Sequence, residues 1–252
     1  DHIAVKQYRI FKMAAGKSLI VQAGATLNAS GLVASPVVVT SVKDDTVGGD
    51  TNGDGTATSP APGDWYRIYV EGQTTLDHVE VRYGGGTNST EGALVRTAGT
   101  ATVTIDSSVL GSALYTGVLV WGGTTTITNT IVTDTDRGIS AHPGGTVTAT
   151  NCTVNGNRVG LLIHGGMLTV ANSIVTNNVT AGILRDNGSD TLAIGHSNVW
   201  NPDATQGDYS NVTAWTDVDG NVSVDPAFKD PGRGNYRLQY VSPMIDAADG
   251  AL

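Results

Sequence analysis

Gly138-Ile139-Ser140-Ala141-His142, Gly160-Leu161-Leu162-Ile163-His164 and Gly182-Ile183-Leu184-Arg185-Asp186 open on evenly spaced glycines. Working outward, Gly117-Val118-Leu119-Val120-Trp121 stands almost the same interval earlier, and Gly92-Ala93-Leu94-Val95-Arg96 a slightly longer interval before that. Each pentamer is followed by a Thr/Val alternation, as at Thr124–Ile127, Thr146–Thr150 and Met167–Val170. A β-branched pair comes next: Ile131-Val132, Thr153-Val154 and Ile174-Val175. Each unit therefore holds three short strands separated by turns. Helices are poorly supported, because Thr, Val, Asn and Gly dominate and no 3.6-residue period is sustained. A unit of about 22 residues with three strands buries its apolar face only by stacking on its neighbours, which predicts an all-β parallel solenoid.

The whole chain agrees with one such domain. It has 252 residues, 39% hydrophobic, 6% aromatic and 15% charged, with 33 glycines. The 14 basic and 23 acidic residues leave a net charge of -9, which argues against a protein that tracks nucleic-acid phosphates. A lone cysteine, Cys152, excludes an internal disulfide and a Cys-rich zinc site. No apolar run reaches the roughly 20 residues of a membrane-spanning helix. No charged, apolar leader opens at Asp1, so the chain reads as a processed or excised piece.

Asn129, Asn151 and Asn172 precede the three β-branched pairs and repeat with the same period as the glycines. A turn-tolerant residue at one place in every unit predicts a ladder at one corner. The patterns Asn151-x-x-Val154 to Gly160-Leu161 and Asn172-x-Ile174 to Gly182-Ile183 resemble the right-handed parallel β-helix repeat proteins of bacterial surfaces and secretions, with the pectate-lyase-like fold. The resemblance spans about residues 65–200. It implies coils of three strands, and a secreted or cell-surface location. Residues 1–43, with Leu19–Leu27 and Pro36–Ser41, resemble opening coils. Residues 201–252, with Val224–Phe228, Tyr236–Leu238 and Ser242–Asp246, resemble the closing segment. Both ends are expected to cap exposed core and strand edges.

Period-two alternation assigns the faces of the pentamers. Ala93, Val118, Ile139, Leu161 and Ile183 should point inward, and Leu94, Leu119, Ser140, Leu162 and Leu184 outward. The fourth file, Arg96, Trp121, His142, His164 and Asp186, should form an outward stripe with rungs about 4.8 Å apart. Such a stripe, beside a leucine ridge, would suit a polysaccharide or cell-surface glycan, whose rings stack on aromatics while hydroxyls need polar partners. The alternative is that a folded-back loop or the closing segment covers the leucines. His142 and His164 are the candidates for general acid and base, with Asp186 to orient an imidazole. β-Helix polysaccharide lyases resemble the chain in fold, but the acidic clusters and paired-aspartate signatures of β-helix enzymes are missing. The expected role is thus adhesion or carbohydrate binding, with a lyase or hydrolase, or a structural spacer, as the alternatives.

Residues 44–64 read as an insertion between coils. Asp50-x-Asn52-x-Asp54-Gly55 matches the first half of calcium loops, with Thr56 offering its carbonyl. Ala61 stands where a bidentate Glu would complete a hand. Asp64, Asp44 or Asp45 must supply the remaining oxygen, which predicts a structural Ca2+ rather than a sensor. Asp217-x-Asp219-Gly220-Asn221 is a weaker copy. Cys152, Trp65, Trp200 and Trp215 read as packing or capping residues.

Overall fold

The computed structural model describes residues 2–6, 8–86, 88–187 and 190–248. Three parallel sheets of eight strands enclose one core. The first sheet runs from His2–Lys6 to Thr191–Gly195, the second from Ile10–Met13 to Asn198–Trp200, and the third from Ser18–Val21 to Tyr209–Ser210. One coil takes a strand from each, as in Arg137–Ala141, Gly145–Thr150 and Thr153–Asn155. The predicted three-strand coil is therefore present. Among the described residues, no helix is long and apolar enough to cross a membrane.

Two buried ladders hold the coils in register. The Asn129, Asn151 and Asn172 corner exists, but its recurring feature is backbone conformation. These residues have φ of 50°, 55° and 50°, a left-handed region that Asn tolerates better than most residues. The hydroxyl ladder lies one residue on, where Ser108, Ser173 and Ser197 each accept a backbone N–H from the preceding coil. Cys152 occupies that file, and its thiol donates to backbone carbonyls of Ile127 and Thr150. Burial pushes its pKa up to about 11, so it is a packing residue.

The buried asparagine ladder is at another corner. Asn157, Asn178 and Asn201 are 0%, 1% and 3% exposed. The Asn178 carboxamide oxygen accepts from both the N–H and the Nδ2 of Asn157, at 3.0 and 3.1 Å. Asn201 does the same for Asn178, and Asp208 does it for Asn201. The outward-facing alternation of the strands does not reveal this file, because it sits in the turns.

The register also corrects the glycine alignment. Val95 pairs with Val118, and Val118 with Ile139, so the step between the first two coils is shorter than the separation of Gly92 and Gly117. Leu94 therefore occupies the place of Gly117 and joins the core, rather than pointing outward. Gly92 belongs to the preceding loop, where a Cβ would lie 2.4 Å from the Gly85 carbonyl oxygen. At Gly117, Gly138 and Gly160 a Cβ would meet the next coil's carbonyl within 2.6 Å. That close approach is why glycine repeats there.

Residues 42–66 connect the second sheet to the third without strands. The solenoid continues past residue 200, because Tyr209–Ser210 pairs with Ile183 and Leu184. Beyond it, Val212 and Trp215 pack on the core, and Val222 bridges to Asn198. An antiparallel hairpin, Phe228–Asp230 with Asn235–Leu238, then returns to the second sheet, where Tyr236 OH meets Thr133 Oγ1 at 3.1 Å and receives Asn155 Nδ2 at 3.3 Å.

Candidate functional site

The third sheet brings four members of the predicted stripe together. The Trp121 and His142 rings stack with centroids 4.7 Å apart, and His142 and His164 lie 4.9 Å apart. His164 Nδ1 is 2.5 Å from Asp186 Oδ1 across an irregular register. Arg96 is not in that file. It pairs in register with Leu119, and its guanidinium reaches diagonally over the Trp121 ring at 5.7 Å. Arg96 therefore lies over the Trp121 ring and His142 stacks on it, so the indole is flanked by two protein side chains.

The leucine ridge is covered. Leu119 and Leu162 are 2% and 3% exposed and Leu184 is half-buried. Segment 88–91 is drawn toward this sheet by three arginines. Arg67 donates to the Glu91 carbonyl at 2.6 Å, Arg96 to Glu91 Oε1 at 2.9 Å and Arg137 to the Ser89 carbonyl at 2.7 Å. A folded-back loop is thus tied to this side of the solenoid, while the closing hairpin sits on the second sheet.

His142 is only 8% exposed, and its Nε2 meets Ser140 Oγ at 2.9 Å while Nδ1 has no partner among the described residues. Burial, reinforced by His164, pushes its pKa down to about 4. The imidazole is neutral near pH 7 and shielded, an environment that suits packing better than proton exchange with a bulky substrate. His164 remains more open, with 38% of its side chain exposed.

The predicted metal residues separate into two groups. Asp45, Asp50 and Asp54 place carboxylate oxygens within 4.8 Å of one another. Both oxygens of Asp50 accept loop N–H groups, from Gly53 at 2.7 Å and Gly55 at 2.8 Å. These bonds, Gly55 first, hold its pKa below the ordinary value. Asn52 donates to Asp54 at 2.7 Å, and Thr56 is exposed. Asp64 is elsewhere: it takes Lys43 Nζ at 2.8 Å and Ser41 Oγ at 2.7 Å. Asp44 is fully buried against Thr40, Thr46 and Arg82. Burial opposes its ionisation, but these hydrogen bonds and the Arg82 charge prevail and its pKa is lowered. Of the three candidates for the missing oxygen, only Asp45 reaches the cluster.

The second sheet carries a feature that the pentamers did not reveal. On its outer face, Glu80, Val109 and Ile131 form one file, and Arg82, Gly111, Thr133 and Asn155 another. Adjoining cavities share Val109, and one of about 370 Å³ is bounded by Val109, Ile131, Asp134, Asn155 and Tyr236. Together they form an open trough along the solenoid axis, with Leu32, Val33 and Pro36 at one end and hairpin residues 231–236 at the other.

A family model described as the right handed beta helix region matches residues 67–222, more than half of the chain. The chain belongs to the right-handed β-helix family. Searches among curated proteins and solved structures give no significant match. In this β-helix the trough was partly legible from sequence. Val109 and Ile131 are apolar residues on the outward positions of their strands, but the two rims come from segments near opposite ends of the chain, beyond the reach of any local pattern.

Proposed function

We propose that this β-helix is a secreted or cell-surface module for adhesion or carbohydrate binding, and that it holds a polysaccharide or cell-surface glycan in the second-sheet trough. The observation that carries the reading is the trough itself. It is elongated, open, floored by Val109 and Ile131, and bordered by Glu80, Asp134, Asn155 and Tyr236. A sugar chain presents apolar ring faces and hydroxyl edges, which match such a floor and such walls. The shielding of His142, nominated as acid or base, favours binding over turnover.

A structural Ca2+ is part of the proposal. Asp45 Oδ1 and Asp54 Oδ1 are buried with no hydrogen-bond partner among the described residues, and these carboxylates converge with Asp50 in an all-oxygen donor set that suits a hard cation. Asp45, Asp50 and Asp54 would hold the ion, which would supply the charge that offsets their mutual repulsion. Its role is to staple the connection between coils.

A glycan array read with and without calcium tests the function, alongside a Val109→Trp variant that fills the trough at a 38%-exposed position. Binding by the parent and its loss in the variant are expected. Turnover in an absorbance assay for lyase products would establish the enzyme alternative instead. Silence in both assays would leave a structural spacer.

A further inference from the structure

We infer that the trough selects glycans bearing free amino groups over chains of uronic acids, an inference that rests on the glycan reading above. The selectivity is electrostatic and starts with Glu80. Its side chain is 37% exposed, and its one ion pair among the described residues is a marginal 3.4 Å contact with Arg82 Nη1. Arg82 is committed elsewhere: its Nε donates to Asp44 Oδ2 at 2.9 Å and its Nη2 to Thr46 Oγ1 at 3.1 Å. Because Asp44 is fully buried behind it, the Arg82 charge is matched before Glu80 is considered. Asp134, at the next cavity, is exposed and forms no ion pair among the described residues.

His78 also borders the trough but lies 2.5 Å from the Asp77 carboxylate, so it adds no free cation. Arg233 of the hairpin does not line the cavity. It is 87% exposed and lies 3.8 Å from Asp230. The trough therefore presents two carboxylates, Glu80 only weakly paired with Arg82 and Asp134 without an ion pair among the described residues. Glu80 lies on the strand Val79–Arg82 and Asp134 just past the strand Ile131–Thr133, two steps or about 10 Å further along the axis, with Val109 on the strand between. A polyuronate would place like charges against both, and the net charge of -9 adds to the repulsion. A hexosamine polymer with free ammonium groups meets the carboxylates with opposite charge while its rings lie on Val109 and Ile131.

The test compares oligomers of glucosamine, N-acetylglucosamine and galacturonate by calorimetry near pH 6. The proteins are the parent, Glu80→Gln, Asp134→Asn and Val109→Trp. Asn is chosen at residue 134 because φ there is 55°, which Asn tolerates. The parent should bind glucosamine oligomers about tenfold tighter than the acetylated ones and should not bind galacturonate. Each charge-removing variant should lose about threefold for the amine alone, the range of an exposed charge pair. Val109→Trp, which leaves the charge unchanged, should lose all binding. Equal affinity for acetylated and free-amine oligomers, or binding of galacturonate, would overturn the selectivity while leaving the trough as a glycan site. Glucosamine binding that survives Val109→Trp would mark non-specific attraction to an acidic protein and overturn the site as well. Failure to bind any of the three overturns the inference, and a silent glycan array would then remove the glycan reading too.

Discussion

Replacing Asn178 by Ala tests whether the turn ladder, rather than the glycine file, sets the register of the coils. Asn178 is 1% exposed. Among the described residues its oxygen is the only acceptor for the Asn157 backbone N–H, at 3.0 Å, and one of two for Asn157 Nδ2, at 3.1 Å. Its Nδ2 donates to Asn201 Oδ1 at 2.9 Å. Truncation strands two buried donors on Asn157. Asn201 Oδ1 keeps the Asn178 N–H at 2.8 Å and so contributes little. At about 1–3 kcal/mol for each orphaned donor the cost is about 2–6 kcal/mol. With a urea slope of about 3 kcal/mol/M for a chain of this size, the unfolding midpoint should fall by about 0.7–2 M.

Asn178→Asp sharpens the test. It keeps the acceptor for Asn157 but turns an oxygen toward Asn201 Oδ1 and the Val154 carbonyl, an arrangement satisfied only when the carboxyl is protonated. Its folded pKa is therefore raised. The protonated form stabilises the fold below the unfolded value of about 4, and that contribution is lost as pH rises through the folded value. The variant should lie closer to the parent at pH 4 than at pH 7. Urea melts followed by circular dichroism at both values would measure this. A midpoint for Asn178→Ala within about 0.2 M of the parent would refute the ladder as a structural determinant.

Asn151→Gly should be nearly neutral, whereas Asn151→Ala should cost about 1 kcal/mol, since φ is 55° there and the left-handed region penalises a Cβ; equal melts would show that the side chain sets the corner. The His142 pKa lies at about 4, against an ordinary 6.5, so only the unfolded chain takes up its proton between those values. Stability should fall by about 2 kcal/mol as pH drops through that window, and His142→Phe should flatten the loss in thermal melts between pH 7 and 4.5. Chelation should lower the melting temperature of the parent and leave Asp45→Asn unchanged, because the carboxylates of Asp45, Asp50 and Asp54 converge within 4.8 Å. Identical parent melts with chelator and with added calcium would end the metal proposal.

The sequence by itself determined the solenoid, its three strands per coil and the column of Trp121, His142 and His164. Stacking turns equal spacing into vertical files, so residues one repeat apart became neighbours wherever the coils were of equal length. It failed where coil length changed. The loop before Leu94 shifted Arg96 out of the column, a change invisible to an alignment anchored on Gly92. Burial was also beyond it, because Leu119 and Leu162, which alternation places on the outside, are only 2% and 3% exposed. Only the tertiary structure decided that Asp45 and not Asp64 joins Asp50 and Asp54, since Lys43 and Ser41 hold Asp64 away. It alone assembled the trough, one end of which is formed by the hairpin because Tyr236 folds back onto Thr133 and Asn155. Strand periodicity is a local property of the chain, whereas the partner of a carboxylate and the cover of a face depend on where distant turns come to rest.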